Sequence, residues 1–437
     1  MIIKRTAFIL LLLTIANRIF GIGREIIIAQ SFGVGKTLDI YLLALTIPSL
    51  LITLFIYSYP SAMIPIFFRN KEERGDDYAN QCGLNIFNSW IFFLLLLCSI
   101  LYLFSGSLMR TLYSQLPKVE IIQVSQLFRY LIIAVFAGGI FASFRSYFHT
   151  QKKFILPSIA PFASNISIIL FVILLSGTYG NKSITWGYIL GFIFQSLMLI
   201  AFLGGRKSGF SIRFPEFNEE VKRVGSALIV VFGIESFLLF FTMIDRVLAS
   251  GLTAGSISAL SYSNTILDAP IAFVGLSIGV VVLPLFSELS VKEDLNLFNL
   301  QIRKVFAAVL IFIIPVMFVI LFGSEQIVRL LYERGRFDSD ATAITASALR
   351  YFSIGLLARV FHIILTRIYY ALEFRRILLW VALASIVIKL AFSIILVDSY
   401  EINGLALATS LTFIIIVTFL LWHLKWKTGI HYFKPGI

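Results

Sequence analysis

The sequence predicts an all-α polytopic membrane protein of about twelve transmembrane helices, arranged as two six-helix bundles around a central cavity. The 437-residue chain is 59% hydrophobic and only 14% charged, whereas soluble domains carry about 25% charged residues. Its mean hydropathy is +0.94. Apolar stretches of the roughly 20 residues that a bilayer-spanning helix needs follow one another along the chain, so no segment is left for a soluble domain.

Twelve apolar stretches separated by short polar loops account for nearly the whole sequence. They lie at 6–30, 40–67, 85–105, 124–149, 155–176, 184–204, 224–249, 257–287, 303–323, 341–370, 376–397 and 402–424. The first is longer than the apolar core of a signal peptide and is not followed by a small-residue cleavage pattern. We therefore expect it to remain as a membrane span.

The net charge of +13 is distributed as a membrane protein requires, and it does not indicate nucleic-acid binding. With the N-terminus placed inside, twenty Lys and Arg residues fall in inner segments and seven in outer segments. Cytoplasmic loops of membrane proteins carry such an excess. We therefore expect both termini to be cytoplasmic, which agrees with an even number of spans.

Residue types that supply enzyme chemistry are sparse. The two cysteines, Cys82 and Cys98, are too few for a disulfide framework or a metal site. The four histidines are scattered without metal-ligand spacing, and there is no glycine-rich phosphate loop. The sequence therefore predicts a non-enzymatic protein without cofactor or metal, driven by membrane potential or by an ion that the sequence does not identify.

A basic inner loop at 205–223 separates six spans from six, which suggests an internal repeat. Arg24 and Arg246 both lie near the outer end of the first helix of their half, and Pro48 and Pro270 both lie inside the second. Because six spans separate the copies, the repeat is parallel. We predict an N-terminal bundle at 1–204, a cytoplasmic linker at 205–223 and a C-terminal bundle at 224–437.

The first span contains charges that a lipid-facing helix would exclude. Asn17, Gly21 and Arg24 follow helical spacing on one face, with Arg18 on its flank and Glu25 beside Arg24. An ionisable side chain at the bilayer centre costs about 2.5–3.5 kcal/mol on insertion scales, so such residues usually face a wet cavity. The alternative is that Arg24 reaches a headgroup while Arg18 pairs with a neighbouring helix.

Further polar stripes occur in later spans. They comprise Glu235, Thr242 and Arg246 in the seventh, Ser261, Asn264 and Asp268 in the eighth, Gly355, Arg359, His362, Thr366 and Tyr369 in the tenth, and Lys389 in the eleventh. Each stripe could equally hold helices together by hydrogen bonds. Basic residues outnumber acidic ones within the spans, which favours an anionic ligand. The predicted binding residues are Asn17, Arg18, Arg24, Arg246, Arg359, His362 and Lys389.

Three patches resemble one transporter family, and the similarity runs from about residue 14 to 425. The patches are Asn17–Glu25 with Phe32-Gly-Val-Gly, Asp39 and Pro48-Ser-Leu-Leu; Val282-Leu-Pro-Leu-Phe-Ser; and Leu331-Tyr-Glu-Arg-Gly-Arg-Phe-Asp, continuing to Ala348–Leu356. They resemble the MurJ (MviN) lipid II flippases of the multidrug/oligosaccharidyl-lipid/polysaccharide (MOP) exporter superfamily.

This resemblance implies a flippase that moves lipid II, the polyprenyl-pyrophosphate-linked peptidoglycan precursor, from the cytoplasmic to the outer leaflet of the bacterial cytoplasmic membrane by alternating access. It implies that Arg18 and Arg24 hold the pyrophosphate, and it places Asp39, with Glu25, at the outer gate. Arginine suits this role because its planar fork matches phosphate oxygens. Both halves lie in one chain, so a monomer suffices.

The chain also departs from the family pattern. Ile52 and Thr53 stand where the family usually has an arginine, and Asn264-Thr265 stand where it usually has Asp-Arg. The family commonly has fourteen spans, two more than predicted here. Arg359 or Lys389 could replace the lost charge. The alternatives left open are a flippase for another polyprenyl-pyrophosphate-linked glycan (an O-antigen, capsule or teichoic unit), a drug or cation exporter, and a membrane scaffold.

Overall fold

The structure is a computed structural model, and it describes residues 2–203, 213–291, 295–372 and 374–428. Within these ranges, the side chains of 2–7, 234–235, 237–238, 274–285, 287–291, 295–296 and 375 are not described. Apart from the connections between helices, the described chain is helical, and it contains no strand. Its helices are α1 (Ile2–Phe32), α2 (Lys36–Leu103), α3 (Ser105–Leu112), α4 (Lys118–Thr150), α5 (Ile155–Ile159), α6 (Pro161–Tyr179), α7 (Asn181–Ala201), α8 (Glu219–Glu235), α9 (Phe237–Ala249), α10 (Ser256–Val291), α11 (Leu295–Tyr332), α12 (Ser339–Ile354), α13 (Leu356–Ala371) and α14 (Arg375–Thr428).

Two of these helices are long enough for two membrane crossings each. The 68 residues of α2 correspond to about 100 Å of helix, against about 30 Å of hydrocarbon. α2 is interrupted at Gly75, where φ is 86°, a value that glycine adopts without strain. α14 is also interrupted by one residue with a positive φ, Glu401, whose φ is 49°. Each therefore contains two of the predicted spans.

The remaining predicted spans also correspond to helices. Among the described residues, six segments are long and apolar enough to cross a membrane, α2 and α14 included, and a seventh is the pair α12 and α13, bent by 46°. The other predicted spans coincide with α1, with α8 and α9 together, and with α10. All twelve predicted spans thus fall on helices.

The helices belong to two compact units, Met1–Gly251 and Leu252–Ile437. In the first unit, α1 packs on α6, α6 on α7, α4 on α2 and α7, and α8 and α9 on α2. In the second, α10 packs on α12 and α13, α11 on α12, and α14 on α12 and α13. Arg246 on α9 therefore lies within the first unit. The predicted cytoplasmic linker at 205–223 lies partly outside the described residues, and the predicted domain division stays a prediction.

The tenth span is broken rather than continuous. Gly355 ends α12 and precedes α13, so the bend lies at the first residue of the predicted stripe, and the other four, Arg359, His362, Thr366 and Tyr369, all lie on α13. A side chain at Gly355 would place its Cβ 2.6 Å from the Cα of Ser410. The Ser410 hydroxyl donates to the Tyr351 carbonyl over 2.7 Å, so α14 fixes this bend by close contact.

A pair of glycines brings α7 close to α6. A Cβ at Gly187 would lie 2.8 Å from the Cα of Ile168, and a Cβ at Gly191 would lie 2.6 Å from the Cα of Ser164. The two glycines are four residues apart and share one helix face. Small residues with this spacing allow membrane helices to approach at backbone distance.

We therefore expect Gly191→Val to lower the thermal stability of the protein, because the added methyl groups must separate the backbones of α6 and α7. Overpacking of this kind costs about 1–3 kcal/mol. The measurement is thermal unfolding of the purified protein in detergent. Gly177→Val is the matched control, since a Cβ at Gly177 meets no atom within 4 Å; equal effects of the two changes would contradict this account of the packing.

Candidate functional site

Arg24 is held by a chain of polar groups that links α1 to α6. Its Nη1 donates to Oδ1 of Asn165 over 3.1 Å, and Nδ2 of Asn165 donates to Oδ1 of Asn17 over 2.9 Å. Its Nε and Nη2 both donate to Glu25, Nε over 3.1 Å. Asn17, Arg24 and Glu25 were all predicted from the sequence. Arg24 bonds Glu25 directly, and Asn165, which was not predicted, links Arg24 to Asn17.

Arg246 reaches α2 from α9. Its Nη1 donates to the Leu42 carbonyl over 3.0 Å and to the Thr46 hydroxyl over 3.3 Å. Neither partner carries a charge, and Arg246 forms no salt bridge within the described residues. The guanidinium is therefore held in place while its positive charge stays uncompensated by direct contact.

Arg24 and Arg246 share one electrostatic environment. Tyr41 on α2 and Tyr188 on α7 interact electrostatically with both guanidinium groups, and so does Glu25. Both cations are therefore within electrostatic range of the Glu25 carboxylate and of two phenol rings. Such a cluster attracts an anion, and low local polarity strengthens the attraction. We call Arg24, Arg246, Glu25, Tyr41 and Tyr188 the arginine cluster.

Arg18 and Asp39 are the other two charged residues near the start of the chain that were predicted to act in the site. Arg18 is exposed on α1 and has no hydrogen-bond or ion-pair partner in the part of the chain that the structure describes. Asp39 is 7% exposed and lies in the first turn of α2, where the helix dipole stabilises a carboxylate. The gate function predicted for Asp39 and Glu25 stays a prediction.

In the second unit, Arg359 of α13 is bound to α10. Its Nη1 donates to Oδ1 of Asn264 over 3.3 Å, and its Nη2 donates to Oδ1 of Asp268 over 3.2 Å. Its Cζ lies 5.7 Å from the ring centroid of Phe413, and His362 meets the same ring edge-on at 5.6 Å. Asn264 and Asp268 therefore share a helix face, as their spacing predicts.

Lys389 is placed differently from the other predicted binding residues. It is 0% exposed, and its Nζ donates to the Leu405 carbonyl over 3.0 Å. Both residues belong to α14, on opposite sides of the break at Glu401. This contact ties the two halves of α14 together, and the binding role predicted for Lys389 stays a prediction.

Sequence reasoning missed Asn165, Tyr41 and Tyr188. Asn165 had a usable signal, because it is a polar amide in the middle of an apolar stretch and such residues usually bond across helices. The two tyrosines had none, since tyrosine is frequent in membrane spans. The side chain of Glu235, predicted on the face of Arg246, lies outside the described residues. No cluster of metal ligands occurs among the described residues.

Two helical units with cations held inside the spans define a polytopic membrane transporter. The fold matches a solved inward-facing MATE-family multidrug resistance transporter of the MOP superfamily, with TM-score 0.79, 11% identity and 94% of each chain covered. At that identity the match shows the shared fold alone. Residues 28–435 match the family described as lipid II flippase MurJ. The chain belongs to this family.

Two further comparisons agree. The probable lipid II flippase MurJ of Rhizobium tropici is 27% identical over 417 residues, which cover 90% of this chain and 76% of that protein. A solved structure of lipid II flippase MurJ in an inward closed conformation superimposes with TM-score 0.83 and 26% identity, covering 96% of this chain and 87% of that one. The predicted fold class and family are thus confirmed.

The hydrogen bonds that link Arg24, Asn165 and Asn17 predict energetic coupling between α1 and α6. Asn17→Ala and Asn165→Ala should each lower the unfolding midpoint, and their effects should not add, because either change breaks the same bond. The coupling energy should be about 0.6 kcal/mol, the average found between membrane helices. Asn17→Ala combined with Asn264→Ala in the second unit is the control pair, and additive effects in both pairs would exclude the coupling.

Proposed function

We propose that this chain carries lipid II from the cytoplasmic to the outer leaflet of the bacterial inner membrane, acting as a monomer with both termini in the cytoplasm. The observation that supports this most directly is the arginine cluster. Arg24 and Arg246 both interact electrostatically with the carboxylate of Glu25. An arginine pair of this kind suits a pyrophosphate, whose oxygens accept paired hydrogen bonds.

Each arginine has its own part in this proposal. Arg24 is oriented by Glu25 and Asn165, so its fork is positioned before the ligand arrives. Arg246 contributes charge from α9 while its contacts to α2 are neutral. Arg18 is exposed on α1 without a partner in the described chain, and it is therefore free to bind a phosphate oxygen directly.

Arg359 supplies the charge that the family pattern places in the eighth span. That pattern has an arginine where this chain has Thr265. The Arg359 guanidinium lies 3.3 Å from the neighbouring Asn264, so a cation from α13 returns to the same neighbourhood. Asp268 compensates only part of this charge, because its own side chain is 50% exposed. Ile52, the other departure, is 2% exposed and packs in the core.

Other cargoes fit less well. A flippase for another polyprenyl-pyrophosphate glycan would use the same phosphate contacts, but the family and the Rhizobium tropici relative are named for lipid II. An exporter of organic cations needs acidic binding surfaces, whereas the groups that converge here are guanidinium groups. The energy source in this proposal is the membrane potential or a coupled ion.

Complementation tests the proposed function, and together with the unfolding midpoint it distinguishes the role of Arg18 from that of Arg24. In cells depleted of their own lipid II flippase, the wild-type chain should restore growth, and Arg24→Ala, Arg246→Ala and Arg18→Ala should each lose rescue. Arg18→Ala should leave the unfolding midpoint unchanged, since its side chain has no described partner, whereas Arg24→Ala should lower it.

The matched control for complementation is Arg110→Ala, which removes an exposed guanidinium bound only within α3. This variant should rescue growth like the wild type. Membrane insertion is checked for every variant by fluorescence of a C-terminal fusion. Failure of an inserted wild-type chain to rescue would reject lipid II as the cargo.

If Arg359 supplies the cation that the family has in the eighth span, a second substitution should compensate for its loss. Arg359→Gln should lower lipid II transport about tenfold, because a hydrogen bond to a charged group contributes about 1.5–3 kcal/mol. Thr265→Arg in that background should restore transport by returning the cation to the family position. Lys389→Met should not be rescued by Thr265→Arg, since Lys389 bonds Leu405 instead. Transport assays in liposomes measure all three, and no restoration would refute the replacement.

A further inference from the structure

One short stretch of sequence occurs in both units, each time just before a loop that leads to the next helix. Residues 105–113 read Ser-Gly-Ser-Leu-Met-Arg-Thr-Leu-Tyr, and residues 324–332 read Ser-Glu-Gln-Ile-Val-Arg-Leu-Leu-Tyr. The two stretches share serine, arginine, leucine and tyrosine at the same spacing. Both closing tyrosines, Tyr113 and Tyr332, are 1% exposed. The stretches therefore add a second pair of matching positions to the predicted internal repeat.

The serine that opens each stretch binds an arginine of the following helix. In the first unit, Nε of Arg129 on α4 donates to Oγ of Ser105 over 2.7 Å. In the second unit, Nε of Arg350 on α12 donates to Oγ of Ser324 over 2.8 Å. Both serines are 0% exposed, whereas both arginines are exposed. The same arginine–serine contact is thus built once in each unit.

The second unit supplies its arginine with a carboxylate. Glu325 follows Ser324 directly, and its Oε2 lies 3.9 Å from Nη2 of Arg350. The same carboxylate also binds Arg329, through Oε1 over 3.0 Å, and Arg329 binds Glu333 as well. Two arginines therefore share two carboxylates, so the charge of Arg350 is balanced within the chain.

The first unit has a glycine where the second has this glutamate. Gly106 follows Ser105, and within 4 Å a Cβ at Gly106 would meet only Oγ of Ser125, at 4.0 Å. Arg129 forms no salt bridge with any residue that the structure describes. The chain therefore repeats the arginine and its serine but not the acid, and there is space beside the serine for an anionic group.

The surface that carries Arg129 is otherwise apolar. The ring of Tyr102, which is 54% exposed, has its centroid 5.6 Å from Cζ of Arg129. Leu103 and Phe104, which lead into the serine contact, are 75% and 61% exposed. Exposed apolar side chains of this size mark a surface that meets lipid. A cation on such a surface is stable when it reaches a lipid headgroup or water.

We propose that Arg129 binds the phosphate of an anionic phospholipid, which takes the place that Glu325 has beside Arg350. Ser105 orients the guanidinium through Nε, so both Nη groups can donate to two phosphate oxygens in the paired geometry that arginine favours. We call Arg129, Ser105, Gly106 and Tyr102 the lipid-phosphate site. With both termini in the cytoplasm, as proposed, the site lies in the outer leaflet. It does not depend on the cargo.

Introducing the missing acid tests the proposal. Full-length protein in detergent is titrated with phosphatidylglycerol, and native mass spectrometry gives the Kd of the tightest-bound lipid. Gly106→Glu should weaken binding about tenfold, because the new carboxylate neutralises Arg129 and repels the phosphate, and Arg129→Gln should weaken it similarly. Arg350→Gln is the matched control, since it removes an arginine from the same contact in the second unit. It should leave the binding unchanged.

The second unit allows the reverse experiment. Glu325→Gln should create a second phosphatidylglycerol site with a Kd within about threefold of the first, because Arg350 loses its carboxylate. Arg350→Gln in that background should remove the new site. A gain of binding cannot result from misfolding, so this pair of variants keeps the proposal testable even if Arg129→Gln lowers stability.

The other outcomes identify a different ligand or none. Unchanged binding by Gly106→Glu would overturn the site, and equal losses with Arg129→Gln and Arg350→Gln would show that binding follows net charge alone. Phosphatidylcholine that binds as tightly as phosphatidylglycerol would exclude an anionic headgroup. Displacement of phosphatidylglycerol by equimolar lipid II would assign Arg129 to the cargo and overturn the proposal. Failed complementation with the expected lipid pattern would reject only the proposed function.

Discussion

The cost of a charge inside the membrane is the constraint on which the rest of the structure depends. A buried ion that lacks partners is expensive, so each intramembrane cation must be paired, hydrogen-bonded or wet. Arg24 meets this requirement through Glu25 and Asn165. Lys389 meets it through the carbonyl of Leu405. The positions of several helices relative to their neighbours follow from these bonds.

The kind of partner determines whether a cation can still attract cargo. A carboxylate cancels most of the charge it pairs with, whereas a carbonyl, an amide or a hydroxyl fixes the guanidinium and leaves its charge. Arg246, bound to the Leu42 carbonyl and Thr46, therefore contributes more attraction than Arg24. Arg24 contributes orientation, because two of its donors are fixed by Glu25. Charge and alignment thus come from different helices.

The sequence was sufficient to predict the spans and the class of ligand, but it did not reveal which helices meet. Apolar length is a strong local signal, so all twelve stretches fall on helices. Periodicity also predicted that Asn264 and Asp268 share a face. It cannot tell whether a polar face meets a cavity or another helix, so it did not reveal that Lys389, predicted to bind ligand, donates to the Leu405 carbonyl. The break at Gly355 depends on contact with Ser410, a residue far away in sequence.

Keeping the isoprenoid tail in apolar surroundings limits the energetic cost of transport. Removing an isoprenoid tail from apolar surroundings would cost about 0.8 kcal/mol for each CH₂ exposed to water. A tail that stays in the membrane keeps its apolar contact while the head group enters the protein. The unfavourable step is then confined to the pyrophosphate, which loses water. Arg24 and Arg246 are the groups that can replace that water, because their guanidinium groups are already held in place inside the spans by hydrogen bonds.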